Sequence, residues 1–276
     1  MPRTDPTTTS ERPASGSDAV SIRLRGLKKA FGSKQVLDGL DLEVERAESL
    51  VVIGGSGTGK SVLLKHIIGL IRPDEGTVEV DGVHLEQLDN REITEFRRRF
   101  GMAFQEGALF DSMTVAQNVG FPLKRLSKKS PAEIKDRVEE CLAMVHLEGV
   151  GDKMPSELSG GMRRRVGFAR AVAHEPEILL FDEPTTGLDP VTTALIGEVI
   201  KELGDRLHTT SVTITHDMEI AFGISDRVAM LNNGKIIAQA PPEEFRRLDD
   251  PRVQQFIHGR AEGPLSDAVL RPGAAR

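Results

Sequence analysis

Short apolar runs rich in branched side chains alternate along the chain with amphipathic stretches of helical length. The runs that predict buried strands lie at residues 50–53, 101–104, 177–182 and 211–215. Strand-like patterns at residues 19–24 and 36–44 come before the first of them. Strands that alternate with helices indicate a mainly parallel sheet joined by helical crossovers, so an α/β fold is expected.

The region from residue 107 to residue 170 has a helical period and is expected to be mainly helical. Within it, Ser130 and Glu133 form a capping box with Pro131 at the first helical position. The apolar face of the following helix is Ile134, Val138, Cys141, Leu142 and Val145. Cys141 on that face is predicted to be a core residue rather than a reactive thiol.

Turn and cap signals place the remaining elements. Residues 28–33 predict a turn, and Asp81-Gly82 and Asn232-Asn233-Gly234 predict hairpins. Further helices are expected at residues 90–99, from Asp189-Pro190 to about Leu207, and from Pro241 onward.

Composition divides the chain into three parts. Residues 1–18 are rich in Pro, Thr, Ser and charge, which predicts a disordered tail. Residues 19–240 carry the alternating pattern and are expected to form one domain. Residues 241–276 are expected to be a C-terminal extension, which either braces a dimer or caps its own fold.

Overall composition narrows the class of protein. The 276 residues carry a formal net charge of -6, which argues against general nucleic-acid binding. The single cysteine, Cys141, excludes an intrachain disulfide and favours a reducing cytoplasm. We expect no secretory signal, and no apolar run approaches the ~20 residues that cross a bilayer. Work at a membrane would therefore require spanning helices from another chain.

A glycine-rich loop between a predicted strand and a predicted helix carries the strongest chemical signal. Its residues are Gly54, Gly55, Ser56, Gly57, Thr58, Gly59, Lys60 and Ser61. The spacing G-x-x-x-x-G-K-S in this context predicts a phosphate-binding P-loop, in which backbone N–H groups and a helix N-terminus face phosphate oxygens. Lys60 is expected to reach the β- and γ-phosphates, and the Ser61 hydroxyl to ligate Mg²⁺.

Polar side chains follow three other predicted strands. Asp182 ends a buried strand, where a carboxylate holds Mg²⁺, and Glu183 is placed to orient or deprotonate an attacking water. Gln105 and His216 also follow strands, at the sheet edge where ligands bind. Each alone is more often structural, but beside a P-loop we expect Gln105 to contact Mg²⁺ or the water, and His216 the γ-phosphate.

A second candidate anion site lies in the helical region. Ser159, Gly160 and Gly161 open a predicted helix, with Ser159 as N-cap. Because this site is about a hundred residues from the P-loop, it is expected to close on a nucleotide held by another copy. Phe31, upstream of the P-loop, either stacks on a nucleotide base or is a partly buried turn residue.

Taken in order, these motifs resemble the nucleotide-binding subunit of an ABC transporter over roughly residues 20–240. The resemblance implies a P-loop NTPase fold of ABC type, with an antiparallel β subdomain and a helical subdomain at about 107–170. It implies adenine stacking for Phe31, Walker A for residues 54–61, the Q-loop for Gln105 and the signature for residues 158–162. It also implies that Asp182 and Glu183 are Walker B and the catalytic base. Asp189 would then belong to the D-loop, His216 would be the switch histidine, and Met162 replaces the more common Gln.

Three stretches resemble a narrower group, the MlaF-type ATPases of Mce/Mla lipid transporters. They are residues 104–119, residues 154–162 and residues 250–264. This resemblance implies ATP and Mg²⁺ as cofactors, an ATP-sandwich dimer, a multi-pass permease, Mce/Mla-type lipid-binding components and no nucleic acid. It implies a peripheral position on the cytoplasmic face of the bacterial inner membrane and transport of phospholipids.

Other functions are also compatible with these motifs. The chain could serve another importer or exporter, or be a soluble ABC ATPase in cofactor assembly. A nucleotide switch without hydrolysis fits poorly because Glu183 and His216 are both present. The arginines at 97–99 and 163–165 are expected to be solvated or salt-bridged, apart from Arg165, which matches an arginine usual after the signature. Residues 107–125 are expected to carry the groove for a coupling helix of the permease.

Overall fold

The computed structural model describes residues 20–266. The predicted tail at residues 1–18 and the last part of the predicted extension, residues 267–276, lie outside the described residues. The strands are β1 (Val20–Phe31), β2 (Lys34–Glu45), β3 (Ser49–Ile53), β4 (Glu75–Val80), β5 (Val83–His84), β6 (Phe100–Ala103), β7 (Ile178–Asp182), β8 (Thr210–Thr215), β9 (Arg227–Asn232) and β10 (Lys235–Ala240). The helices are α1 (Lys60–Ile67), α2 (Asn90–Phe96), α3 (Val115–Leu126), α4 (Pro131–Met144), α5 (Gly160–Val172), α6 (Pro190–Leu207), α7 (Met218–Ile224), α8 (Pro242–Phe245) and α9 (Pro251–Ile257).

A six-stranded sheet forms the centre of the structure, in the order β10-β9-β3-β8-β7-β6. Only the β9–β10 pair is antiparallel, and the other neighbours are parallel. Ile53 lies opposite Thr215, and Asp182 lies opposite Ile214. The carboxyl ends of β3, β7 and β8 therefore meet at one edge, as the sequence predicted.

A second sheet, in the order β2-β1-β4-β5, is antiparallel throughout. The predicted turn at residues 28–33 is wrong for its first four residues, because β1 continues to Phe31. Register shifts near Gly26 let β1 keep pairing with both β2 and β4, and Lys28 and Lys29 form ion pairs with Glu75 and Asp74. Only Gly32 and Ser33 turn the chain.

Two apolar cores cover the two faces of the central sheet, because side chains alternate along each strand. Leu50 and Val52 of β3 face the core shared with α1 and the antiparallel sheet. Val51 and Ile53 face the larger core, which includes residues of α3, α4, α5 and α6. The two cores therefore hold the carboxyl edge of the central sheet in place from both faces.

Helices α3, α4 and α5 form the helical part of the chain. The predicted capping box is confirmed: Ser130 accepts a hydrogen bond from the Glu133 backbone, with Pro131 at the first turn. Cys141 is fully buried, as predicted, and burial raises the pKa of its thiol to about 11.

The described part of the C-terminal extension contacts its own chain. Phe245 and Val253 are fully buried in the larger core. Gln255 is also buried, and its side-chain amide joins α9 to the following segment through Arg260, Leu265 and Ser266. Residues 242–266 therefore cap the fold of the chain to which they belong.

Candidate active site

A cavity of about 660 Å³ lies at the carboxyl edge of the parallel strands. It is lined by Lys34, Val36, Ser56, Gly57, Gly59, Lys60, Ser61, Val62, Gln105, Asp182, Glu183, Thr186 and His216. Five separate segments supply these residues: the start of β2 and the segments that follow β3, β6, β7 and β8. The structure therefore brings together the predicted P-loop, Gln105, the acidic pair and His216.

The P-loop wraps the N-terminus of α1, and its backbone requires glycine. Gly54 has φ of 156°, and a Cβ there would lie 2.4 Å from the carbonyl oxygen of Leu231. Gly59 is the N-cap of α1, which has no side-chain cap. Thr58 closes the loop by donating its hydroxyl to the Gly55 carbonyl at 2.9 Å. The N-terminal end of α1 thus faces the cavity and favours an anion.

Lys60 is buried, with 7% of its surface exposed. Its Nζ donates to the carbonyl oxygens of Gly54 at 2.7 Å and Gly55 at 3.1 Å. The same atom lies 3.2 Å from Glu183 Oε1. The positive charge of the loop is therefore compensated by a carboxylate from the β7 side of the cavity.

Ser61 and Asp182 form a pair of hard oxygen ligands. The Ser61 hydroxyl donates to Asp182 Oδ1 at 3.1 Å. Burial raises the pKa of the Asp182 carboxyl, against the opposing effect of the hydrogen bond from Ser61. Since Mg²⁺ takes one or two protein oxygens and completes its shell with water and phosphate, these two residues fit it, and Gln105 lines the same cavity. The described residues contain no cluster of three or more His, Cys, Asp or Glu suited to a metal ion.

Glu183 sits in the left-handed region at φ of 49°, which is uncommon for a residue with a side chain. Its backbone N–H donates to the carbonyl of Ile214 at 2.9 Å. Its Oε2 lies 2.7 Å from His216 Nδ1 and accepts the Thr186 hydroxyl at 3.2 Å. The carboxylate is thus held at the cavity by His216, which follows β8, and by Thr186, in the loop after β7.

Sequence reasoning did not identify several residues around the cavity. Lys34 and Val36 line it from the start of β2, and Thr186 lies three residues after Glu183. Lys34 and Val36 closely follow Phe31 in sequence, and Thr186 closely follows Glu183. Proximity to these predicted site residues was the signal that could have identified them. Phe31 itself is half exposed and pairs with Lys34 across the β1–β2 turn, but it does not line the cavity.

The predicted signature residues lie outside this cavity. Ser159 caps α5 by accepting from the Met162 N–H at 3.3 Å. A Cβ on Gly161 would lie 2.5 Å from Thr192 Cγ2, so the start of α5 packs closely on the start of α6. Asp189 caps α6, and its hydrogen bond from the Thr192 hydroxyl lowers the pKa of its carboxyl. Ser159, Gly160 and Gly161 therefore lie beside the Asp189 turn rather than beside their own P-loop.

One expectation about charged side chains is wrong. Arg164 is neither solvated nor salt-bridged: it is 6% exposed and donates Nε to the Gln105 carbonyl at 2.6 Å. It also donates to the Thr186 carbonyl. Arg165 binds the carbonyls of Val145 and His146, away from the cavity. Arg98 and Arg99 do form the expected ion pairs.

Between residues 20 and 266, none of the helices combines the length and apolarity required to span a membrane.

Comparison with known sequences places this site in a family. The ABC transporter family pattern matches residues 37–186. The probable ribonucleotide transport ATP-binding protein mkl of Mycobacterium tuberculosis is 43% identical, over 89% of this chain and 68% of that protein. The intermembrane phospholipid transport system ATP-binding protein MlaF of Haemophilus influenzae is 38% identical, over 88% of this chain and 92% of that protein.

Solved structures give the same result for the fold. The dimeric ATP-binding cassette MJ0796, bound to ADP and Pi, has a TM-score of 0.73 at 33% identity, over 80% of this chain and 98% of its own. The expected fold and the resemblance to MlaF are therefore confirmed. A carboxylate held by His216 and Thr186 at a phosphate-binding loop is suited to hydrolysing a nucleoside triphosphate. The chain belongs to the ABC transporter family and is one of its ATP-hydrolysing subunits.

Proposed function

We propose that this chain hydrolyses Mg²⁺-bound ATP to drive a separate membrane permease that moves phospholipids across a bacterial envelope. The shared cavity of Lys60, Ser61, Asp182, Glu183 and His216 carries the hydrolytic part of this proposal. The likeness to the MlaF protein carries the choice of cargo.

The residues of the cavity divide the chemistry between them. The P-loop N–H groups and the α1 N-terminus hold the phosphates, and Phe31 stacks on the base. Lys60 leaves the Gly54 and Gly55 carbonyls and Glu183 for the β- and γ-phosphates. Glu183 Oε1 is then available to accept a proton from the attacking water, while His216 and Thr186 hold Oε2. When bound, Mg²⁺ neutralises phosphate charge, held by Ser61 and Asp182 with Gln105 nearby.

Two copies of the chain complete the active sites. Ser159, Gly160 and Gly161 present a helix N-terminus that fits a γ-phosphate, yet they lie outside the cavity of their own chain. The partner subunit would close that end of α5 over the nucleotide, with Asp189 at the same surface. The dimeric state of the MJ0796 cassette supports this arrangement.

Membrane attachment requires other chains. We propose that a multi-pass permease and Mce/Mla-type lipid-binding components hold this chain at the cytoplasmic face of the inner membrane. A second cavity, of about 470 Å³ and lined by Met113, Gln117, Phe121, Lys124 and Arg125 among others, offers a place for a coupling helix within residues 107–125. Charge reversal there should abolish transport while ATP hydrolysis persists, and intact transport would count against the assignment.

The choice of cargo can be tested directly, because the relatives are named for different cargoes. The M. tuberculosis relative is named for ribonucleotide transport and the H. influenzae relative for phospholipid transport. Purification of the intact complex, followed by mass spectrometry of bound small molecules, would decide between phospholipid and ribonucleotide cargo. Bound phospholipid is the expected result. A lipid-free complex whose ATPase responds to ribonucleotide cargo would overturn the assignment, as would a chain that purifies without any multi-pass membrane protein.

A further inference from the structure

Helix α5 holds two catalytic loops of its own chain through arginine side chains, of which Arg164 is buried. Arg164 donates to the backbone carbonyl of Gln105, at 2.6 Å, and to that of Thr186. Thr186 in turn donates its hydroxyl to Glu183 Oε2 at 3.2 Å. One guanidinium therefore links the loop after β6 to the loop after β7.

A second arginine and two glycines make the contact between α5 and the loop after β6 rigid. Arg170 donates to the carbonyls of Gly107 at 2.7 Å and Ala108 at 2.8 Å. A Cβ on Gly107 would lie 2.6 Å from the Arg163 carbonyl oxygen, and one on Gly167 would lie 3.0 Å from Gly107 Cα. The loop cannot slide along α5 without breaking these contacts, so a shift of the helix carries Gln105 with it.

The environment of Arg164 is energetically unfavourable for a residue that serves stability alone. Among the described residues it forms no ion pair, and burial lowers the pKa of its guanidinium. Its Nη1 is buried without a hydrogen-bond partner in that part of the chain. A buried cation with an unmet donor is costly, which indicates that its two carbonyl contacts serve another purpose.

We propose that Arg164 is a positioning residue that couples the N-terminus of α5 to Gln105 and Glu183 of the same chain. This inference rests on the proposed dimer, in which that N-terminus contacts the nucleotide held by the partner subunit. Closure on the partner's nucleotide would then set the geometry of hydrolysis in the first copy. The cooperative ATP hydrolysis expected of such a dimer would then depend on the contacts of Arg164.

The test compares two buried arginines that bind α5. Arg137 is 9% exposed and donates to the carbonyls of Val172 and Ala173 at the far end of the same helix. Arg164→Gln and Arg137→Gln in the full-length protein each remove a buried guanidinium from two carbonyls. Only the first pair of carbonyls belongs to the catalytic loops. Arg137→Gln also removes an ion pair with Glu140, so a purely structural effect should be at least as large in that variant as in Arg164→Gln.

Four quantities separate positioning from stability: Tm, the Kd for ATP without Mg²⁺, kcat at saturating ATP, and the Hill coefficient for ATP. We expect both variants to lower Tm and leave Kd unchanged. Arg164→Gln should reduce kcat by roughly 10- to 100-fold, the loss typical of a misplaced catalytic group, and bring the Hill coefficient towards 1. Arg137→Gln should retain the wild-type kcat and Hill coefficient at temperatures below its own Tm.

A second variant keeps the test decisive if Arg164→Gln does not fold. Arg164→Lys retains the charge but cannot donate to both carbonyls in the same way, so kcat should fall by less than in Arg164→Gln. Wild-type kcat and cooperativity in Arg164→Lys would overturn the inference. So would an Arg164→Gln variant with the same kcat and Hill coefficient as Arg137→Gln. If the wild-type protein shows no ATPase activity, or forms no ATP-dependent dimer, the proposed function itself would be overturned.

Discussion

Lys60 and Glu183 are paired across the cavity, with Nζ 3.2 Å from Oε1. Lys60 begins α1 and Glu183 follows β7, and the two residues are expected to act on different parts of the substrate. Their pairing means that the phosphate-binding charge and the candidate base neutralise each other before nucleotide arrives. Phosphate binding must draw Lys60 away, so the entry of substrate and the release of the base are one event.

Removing the charge of Glu183 should separate binding from hydrolysis. Glu183→Gln keeps the shape of the side chain but cannot accept the proton of the attacking water. We expect retained ATP binding, a trapped closed dimer and a loss of turnover of roughly 10²- to 10⁴-fold. Gel filtration with ATP and a phosphate-release assay would measure both effects. Near-normal turnover would remove Glu183 from the catalytic role.

Removing Lys60 should affect binding itself. Lys60→Ala leaves the Glu183 carboxylate without its cation and next to incoming phosphates, so both nucleotide binding and turnover should be lost. Titration with a fluorescent ATP analogue would measure the Kd. Lys201→Ala, which removes an exposed lysine on α6, is the control and should bind ATP normally. Equal affinities in the two variants would contradict the assigned role.

Burial of Cys141 makes a prediction about pH. Its thiol has a pKa of about 11 in the folded chain, against an ordinary value of 9.0. Between these values the unfolded chain binds fewer protons than the folded chain, so the free energy of unfolding should fall as pH rises from about 9 to about 11. The loss should be of the order of 2 kcal/mol at most.

Urea unfolding at several pH values would measure this loss, with Cys141→Ala as the control that lacks the thiol. The control should show a shallower decline than wild type over the same range. The native thiol should also resist a disulfide reagent at pH 8 and react once the chain is unfolded. Rapid reaction of the folded protein would show that Cys141 is accessible.

The sequence alone was sufficient to predict those elements and site residues whose signals are local. The P-loop spacing, the capping box at Ser130 and the helix start at Asp189 each depend on residues within a few positions, and the structure has the predicted elements there. The polar residues after β6, β7 and β8 were also predictable, because carboxyl ends of parallel strands share an edge. Local chemistry and strand direction together predicted where the cavity would form.

Contacts between distant segments could not be predicted in the same way. Arg164 bonds to Gln105, 59 positions away, and it stands in a run of three arginines that resembles a charged surface. Nothing in that run shows which arginine turns inward, because the answer depends on how α5 packs against two loops. The extension of β1 beyond Arg25 likewise depends in part on β4, because Lys28 pairs with Glu75, more than forty residues later.

The close approach of Gly161 to Thr192 makes a prediction about the second half of the active site. A methyl group at position 161 would lie 2.5 Å from Thr192 Cγ2, so Gly161→Ala should push the start of α5 away from α6. The cavity of the same chain does not include Gly161, and ATP binding there should persist. The ATP-dependent dimer and hydrolysis should both be lost.

A compensating change tests whether that steric contact is the cause. Thr192→Ser removes Cγ2 but keeps the hydroxyl that donates to Asp189 at 2.6 Å. Because the obstructing atom is gone, the double variant Gly161→Ala with Thr192→Ser should regain dimer formation and much of the turnover, whereas Thr192→Ser alone should resemble wild type. Sedimentation with ATP and a phosphate-release assay would measure recovery. If the double variant is as inactive as Gly161→Ala, the steric contact with α6 is not the cause of the lost dimer and hydrolysis. The glycine would then be needed for direct approach of the partner's nucleotide.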